Sequence, residues 1–337
     1  MFSIPPLPVM KVAIFSSKPY DREALGSANR GRHELVFFED RLRTETVGLL
    51  EGFEAACLFV HDEANATVLE ACARHGVGLL ALRCAGHNNV DLEAARARGI
   101  RVVRVPEYSP HGVAEFALGM LLTLNRKYHR AYQRTRDFNF SLDGLRGFDL
   151  AGKTAGVVGT GKIGAIVARI LLAFGCRVLA YDPFPREDLE ASGVEYRAWE
   201  DLLGAVDLLT LHCPLTPETY HLLRRESLAR LRDGVVLVNT SRGGLIETAA
   251  LLEALQQGRL GAVGLDVYEE EEGVFFEDLS QSLLSNDELR ILVSYPNVLV
   301  TSHQGFFTAE ALREIADATL GSLDAFAAGR ELARAVS

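Results

Sequence analysis

Three apolar runs in the C-terminal half of the chain each end on a residue that can do chemistry. Val238-Asn239-Thr240-Ser241-Arg242-Gly243-Gly244 places Arg242 just past one run. Gly264-Leu265-Asp266-Val267-Tyr268-Glu269-Glu270-Glu271 places Asp266 and a run of acids past the next. Val298-Leu299-Val300-Thr301-Ser302-His303-Gln304-Gly305-Phe306 closes the third on His303. A guanidinium grips a carboxylate in bidentate fashion and polarises a neighbouring carbonyl. An imidazole passes a proton near neutral pH, and a carboxylate beside it holds the ring charged and oriented. Together these groups suit the reduction of a 2-oxo acid, provided that hydride comes from elsewhere. His212 and His221 also qualify as histidines, and Glu269, Glu270 and Glu271 are equivalent by residue type alone, since runs of acids are commonly solvated loops.

A hydride source is implied upstream. Thr154–Val158 leads into Gly159-Thr160-Gly161-Lys162-Ile163-Gly164, and Ala165–Phe174 follows with helical periodicity. Gly159 suits the tight turn, Gly161 the approach of a pyrophosphate to the backbone, and Gly164 the close packing of helix on strand. The helix start then offers free N–H groups and the positive end of its dipole. The next strand, Arg177–Tyr181, ends at Asp182, 23 residues after Gly159, where an acid receives the adenosine ribose hydroxyls. A carboxylate at that point disfavours a 2′-phosphate, so the expected cofactor is NAD rather than NADP.

The elements that must position these groups alternate throughout. Lys11–Phe15, Leu35–Phe38, Ala56–Val60, Leu79–Leu82 and Ile100–Val103 read as strands with helical stretches such as Thr67–His75 between them. Val113–Asp137 reads as one long helix. A second series runs through Thr154–Val158, Val178–Tyr181, Leu208–His212, Val235–Asn239, Ala262–Val267 and Val298–Thr301. Such alternation predicts α/β architecture with parallel sheets. The final amphipathic stretch, Ala309–Ala328, has no strand after it and is expected to return to the first unit. The length, 337 residues, fits two domains.

The formal charge of −10 opposes nucleic acid and anionic membrane as partners, and leaves an anionic substrate to be attracted locally by a placed arginine. No apolar tract approaches the ~20 residues of a membrane span. The start of the chain has no basic stretch followed by an apolar one, so its prolines read as a short disordered leader. Five cysteines without a CxxC pair or metal-ligand spacing read as reduced thiols, mostly core, in the cytoplasm; no metal is expected.

The NTSRG, LDVYE and TSHQGFFT segments, with GTGKIG and LHCPLTPET between them, resemble the D-isomer-specific 2-hydroxyacid dehydrogenases. The likeness extends to ALRCAGHNNVDL and RVPEYSP, and so covers nearly the whole chain. It implies two Rossmann-like domains with parallel sheets and an active site in the cleft between them: residues 1–108 and 304–337 as a discontinuous substrate domain, 109–303 as the NAD-binding domain. It implies Arg242 as the substrate-binding and carbonyl-polarising arginine, Glu271 as the acid paired with the histidine, and His303 as the general acid/base. The backbone amides of Ala85 and Gly86 would receive the substrate carboxylate. Tyr108 would reach the active site, and Phe306 would limit side-chain size. Cofactor contacts would come from Gly159, Gly161, Lys162, Ile163, Gly164, Asp182, Cys213, Pro214, Thr219, Thr240, Ser241 and Asp266, the last near the nicotinamide carboxamide. The implied activity is reversible NADH-dependent reduction of a small 2-oxo acid, pyruvate to D-lactate foremost, with hydroxypyruvate or larger 2-oxo acids as alternatives. An NAD-sensing corepressor with the same fold is the rival from another class. The likeness further implies a homodimer or homotetramer, with the helix from Val113 as a plausible contact.

Overall fold

The computed structural model describes residues 8–336. Of the expected proline-containing leader, residues 1–7 lie outside the described residues. The chain divides into two compact units, residues 1–109 with 307–337 and residues 110–306.

The first unit opens with β1 (Lys11–Ile14), α1 (Pro19–Asn29), β2 (Glu34–Phe37) and β3 (Ala55–Leu58). It continues with α2 (Ala66–Arg74), β4 (Leu79–Leu82), α3 (Leu92–Ala97) and β5 (Arg101–Arg104). The strands pair in parallel in the order β2-β1-β3-β4-β5. β3 and β4 are buried at every position, because both faces of a parallel sheet are covered by helices. α2 starts where the Asn65 side chain accepts from the amides of Thr67 and Val68, supplying two of the donors a helix start leaves open.

The second unit begins with α4 (Pro110–Arg126) and α5 (Tyr128–Arg136). The single helix expected over Val113–Asp137 is therefore broken. Lys127 adopts a left-handed conformation with φ 54°, and its Nζ donates to the Arg146 carbonyl at 2.8 Å. The Asn125 side chain also receives the Phe148 amide and donates to the Phe148 carbonyl. Returning chain fixes the helix end, so neither Gly nor Pro is needed to mark it.

There follow β6 (Thr154–Val158), α6 (Lys162–Ala173), β7 (Arg177–Tyr181), α7 (Glu187–Glu190), β8 (Glu195–Tyr196) and α8 (Trp199–Leu203). The unit closes with β9 (Leu208–Leu211), α9 (Arg225–Leu228), β10 (Val235–Asn239), α10 (Thr248–Gln256), β11 (Leu260–Leu265), α11 (Asp287–Ser294) and β12 (Val298–Val300). Seven parallel strands order as β12-β11-β10-β9-β6-β7-β8. The order reverses beside β6, the place where doubly wound sheets open a crevice for ligand at the strands' carboxyl ends.

α12 (Ala309–Ala327) belongs to the first unit. Its Ala316, Leu320 and Leu323 pack with Val12, Ile14 and Leu79. Asp324 on the same helix binds fully buried His33 at 3.0 Å and also pairs with Arg32. Residues 304–306 stay with the second unit, because Asp266 holds the amides of Gln304 and Gly305. That boundary falls three residues later than the sequence expectation.

Candidate active site

The nucleotide-binding loop of the second unit is built by close backbone approach. A Cβ at Gly159, where φ is +86°, would lie 2.5 Å from the Cys213 nitrogen, and one at Gly164 would lie 1.9 Å from the Gly159 carbonyl oxygen. Any side chain at either position would force the loop apart. Gly161 caps α6 without a side-chain hydrogen bond, and the space where its Cβ would stand is open within 4 Å. The helix start thus presents donors and positive dipole to open space, as a phosphate requires. Lys162 and Ile163 begin the helix itself.

Asp182 follows β7. Its Oδ2 accepts from the Thr160 amide at 2.6 Å and hydroxyl at 3.1 Å, and its Oδ1 accepts from the Phe184 amide. Tyr196 donates to the Thr160 hydroxyl and receives the Arg186 amide, a brace that sequence reasoning missed. On the next loop, Thr219 donates to the Pro214 carbonyl and Ser241 to the Cys213 carbonyl. The first braces the loop after β9 internally, and the second ties the loop after β10 to it. Thr240 Oγ1 is buried with no hydrogen-bond partner among the described residues, an orphan that a bound ligand would satisfy. Together these features fit a dinucleotide.

β10, β11 and β12 are neighbours in register, Asn239 beside Leu265 and Leu265 beside Val300. Their following loops therefore emerge together at one edge. Arg242 leaves β10 with Nη1 donating to the Ser241 carbonyl, and its guanidinium forms no carboxylate pair among the described residues. Such a cation is available to an anionic ligand. Glu271 Oε1 stands 3.0 Å from His303 Nδ1, and Glu271 Oε2 receives the Tyr268 amide at 3.3 Å. Both side chains are largely buried, His303 at 18% and Glu271 at 19% exposure, so solvent screens the pair only partly. The Phe276 ring lies 5.9 Å from the imidazole.

His303 has φ +55°, an unfavourable region for a residue with Cβ that persists only where surroundings dictate it. Asp266 dictates it. The Asp266 carbonyl receives the His303 amide at 2.7 Å. Its buried carboxylate takes the Thr301 hydroxyl at 2.6 Å and the amides of Gln304 and Gly305. Both oxygens of Asp266 are thus engaged in holding the histidine turn. No residue spacing announces that duty.

The other acids turn elsewhere: Glu270 receives Asn286 Nδ2, and Glu269 receives His221 and Thr248. His212 lies at the end of β9 with Nε2 2.9 Å from the Thr210 hydroxyl. Burial pushes it down to about 4, so the ring is uncharged near neutrality. Cys213 is pushed up to about 11, chiefly by burial, and stays a thiol. Phe306 is buried at 9% exposure.

In the first unit, Cys84, Ala85 and Gly86 form the loop after β4. The Ala85 carbonyl is held by Arg104 Nη1 at 2.6 Å. Arg83, fully buried beneath the loop, pairs with Asp21 at 3.1 Å, donates to the Ser16 carbonyl and lies over the Phe59 ring. Sequence reasoning passed over this buried cation. Tyr108 sits half-buried on the segment after β5, and the next amide, Ser109, is held by Glu314 of α12.

These arrangements define a class before any relative is consulted: a doubly wound nucleotide-binding unit whose strand ends carry an arginine and a carboxylate–histidine pair. Residues 118–305 match the model of the D-isomer specific 2-hydroxyacid dehydrogenase NAD-binding domain. The D-lactate dehydrogenase of Escherichia coli is 51% identical over 315 residues, spanning 93% of this chain and 96% of that relative. The pyruvate reductase of Chlamydomonas reinhardtii superposes with a TM-score of 0.92 at 43% identity, covering 97% of this chain and 99% of the other. The D-lactate dehydrogenase of Aquifex aeolicus, complexed with NAD and lactic acid, superposes with a TM-score of 0.84 at 33% identity over 94% and 96% of the two chains. The chain belongs to the D-isomer-specific 2-hydroxyacid dehydrogenases and is an NAD-dependent oxidoreductase.

Proposed function

We propose that this protein reduces pyruvate to D-lactate, reversibly, with NADH. The observation that carries the reading is the 3.0 Å contact between Glu271 and His303 Nδ1 at the strand edge that also presents unpaired Arg242. Arg242 binds the substrate carboxylate and draws electron density from its carbonyl. With Nδ1 turned to Glu271, His303 delivers the proton to the carbonyl oxygen from Nε2, and Glu271 stabilises the imidazolium until the transfer. NADH, when bound, supplies the hydride to the carbonyl carbon. In the oxidative direction neutral His303 removes the hydroxyl proton.

Gly159, Gly161 and Gly164 would admit the pyrophosphate, Asp182 the adenosine ribose, and Thr240 the nicotinamide side through its orphaned hydroxyl. We assign unit 1 as the substrate domain, where the amides of Ala85 and Gly86 would offer donors to a carboxylate. Among the described residues neither amide donates elsewhere. Phe306, buried three residues after His303, would limit the size of the substrate side chain. Pyruvate is favoured over larger 2-oxo acids because the relatives named above are D-lactate dehydrogenases and a pyruvate reductase.

We further assign the enzyme to the cytoplasm as a homo-oligomer. Five buried cysteines, none of them in a disulfide among the described residues, suit a reducing compartment. Tyr132, Phe138, Phe140 and Leu142, exposed by 64–84%, form an apolar strip from α5 onward that suits a second copy. The reading is tested by kcat/KM with NADH for pyruvate, hydroxypyruvate, phenylpyruvate and 2-oxoisocaproate. Pyruvate is expected to give the highest value, and a higher value for any other acid overturns the substrate assignment.

A further inference from the structure

Glu269 and His221 are a second carboxylate–histidine pair that the reaction above leaves unused. Glu269 Oε1 meets His221 Nε2, and Glu269 Oε2 receives the Thr248 amide at 3.1 Å and hydroxyl at 3.0 Å. The Tyr220 hydroxyl reaches Oε1 more weakly, at 3.4 Å. One carboxylate thereby joins three loops. His221 belongs to the segment after β9 that holds Cys213, Pro214 and Thr219. Thr248 ends the segment after β10 that holds Arg242. Glu269 itself lies two residues before Glu271 on the segment after β11.

The surroundings point the same way. His221 donates its amide to the Gly244 carbonyl, Leu223 to Leu245 and Glu247 back to Leu223, each at 2.9 Å. These bonds run the β9 and β10 loops side by side as far as Thr248. A Cβ on Gly243 would lie 2.0 Å from the Tyr268 carbonyl carbon, so the β10 and β11 loops touch backbone to backbone. His221 holds φ +51°, a conformation kept by a residue with Cβ only where contacts enforce it. Burial acts to raise the Glu269 carboxyl, but the bonds from His221 and Thr248 outweigh it and hold the group below its ordinary range. The clamp is thus a charged acceptor with three well-placed donors, the strong form of hydrogen bond.

We propose that Glu269, gripped by His221 and Thr248, is a positioning residue that holds Glu271 at His303 Nδ1. It touches no reacting atom. A loosened Glu269 lets Glu271 drift from His303 Nδ1, and displacements near 1 Å at a catalytic group cost roughly 100-fold in rate. The proposal rests on the assignment of Glu271 and His303 made above.

The test measures kcat and KM for pyruvate with NADH in Glu269→Gln, His221→Asn, Glu271→Gln and the double variant Glu269→Gln/Glu271→Gln. Asparagine tolerates the left-handed backbone at position 221 but cannot reach Glu269 as histidine does. Glu269→Gln and His221→Asn are each expected to lower kcat roughly 10-fold or more, with a smaller change in KM for pyruvate. The double variant is expected to be within about 2-fold of Glu271→Gln alone, because a residue that acts through Glu271 has nothing left to position. Costs that multiply in the double variant, or kcat within about 2-fold of the parent in both single clamp variants, overturn the proposal. Should Glu269→Gln fail to fold, His221→Asn with its Glu271→Gln double decides in its place. If Glu271→Gln alone leaves kcat unchanged, the catalytic pair has been misassigned, and the positioning role falls with it.

Discussion

Glu271 and His303 are 32 residues apart in the chain, yet their side chains meet at 3.0 Å, each from a loop fixed by a separate carboxylate. Asp266 holds the His303 turn through the His303, Gln304 and Gly305 amides, and Glu269 holds the segment leading to Glu271. The pair is therefore set by its supports as much as by mutual attraction. Its orientation commits Nδ1 to the carboxylate and leaves Nε2 for the proposed proton transfer.

Glu271→Gln keeps the shape of the side chain and removes its charge. The His303 ring then loses the charged acceptor that orients it through Nδ1. The variant is expected to lower kcat for pyruvate reduction and for D-lactate oxidation, each by roughly 10-fold or more. Rates unchanged in both directions would separate Glu271 from the histidine.

On the proposed cofactor assignment, Asp182 stands where NAD and NADP differ. Its carboxylate, held by Thr160 and the Phe184 amide, would repel a 2′-phosphate. The parent enzyme is expected to prefer NADH, and Asp182→Asn, which keeps the shape, to narrow the preference by roughly 10-fold or more. Equal kcat/KM for NADH and NADPH in the unaltered enzyme would remove the basis for this role.

Much of the sheet was legible because buried parallel strands are short apolar runs between helices. Thr154–Val158, Leu79–Leu82 and Val235–Asn239 stand in the structure with the limits read from sequence. The break at Lys127 was not legible, since it depends on contacts with Arg146 and Phe148 rather than on local propensity. The acids show the same division. Residue type left Glu269, Glu270 and Glu271 equivalent, and only the loop's path sends them to His221, Asn286 and His303 respectively. The family resemblance implies Asp266 as a cofactor contact, while its hydrogen bonds reveal a further duty at the histidine turn.

Phe306 offers a handle on substrate size. It follows the histidine by three residues and is buried. Phe306→Ala is expected to raise the ratio of kcat/KM for phenylpyruvate to that for pyruvate roughly 10-fold, by opening space for the larger side chain. An unchanged ratio across the four 2-oxo acids would place Phe306 in packing alone.

His212 allows a test of stability. It is buried beside Thr210, and burial lowers its titration from 6.5 to about 4. Folding is linked to protonation through that difference. Below 6.5 the unfolded chain's histidine takes up a proton while the folded one resists until about 4, so the unfolded state binds more protons in this interval. Stability contributed by the neutral buried ring is complete above the upper value and is lost as pH falls toward the lower one. His212→Gln keeps a polar partner for Thr210 but cannot be charged, so it is expected to lose less thermal stability on acidification. The measurement is the unfolding midpoint of parent and variant at about pH 7 and about pH 5, where parent and variant should diverge toward the acid side. Equal acid losses would show that His212 takes up its proton in the folded protein as readily as in the unfolded chain.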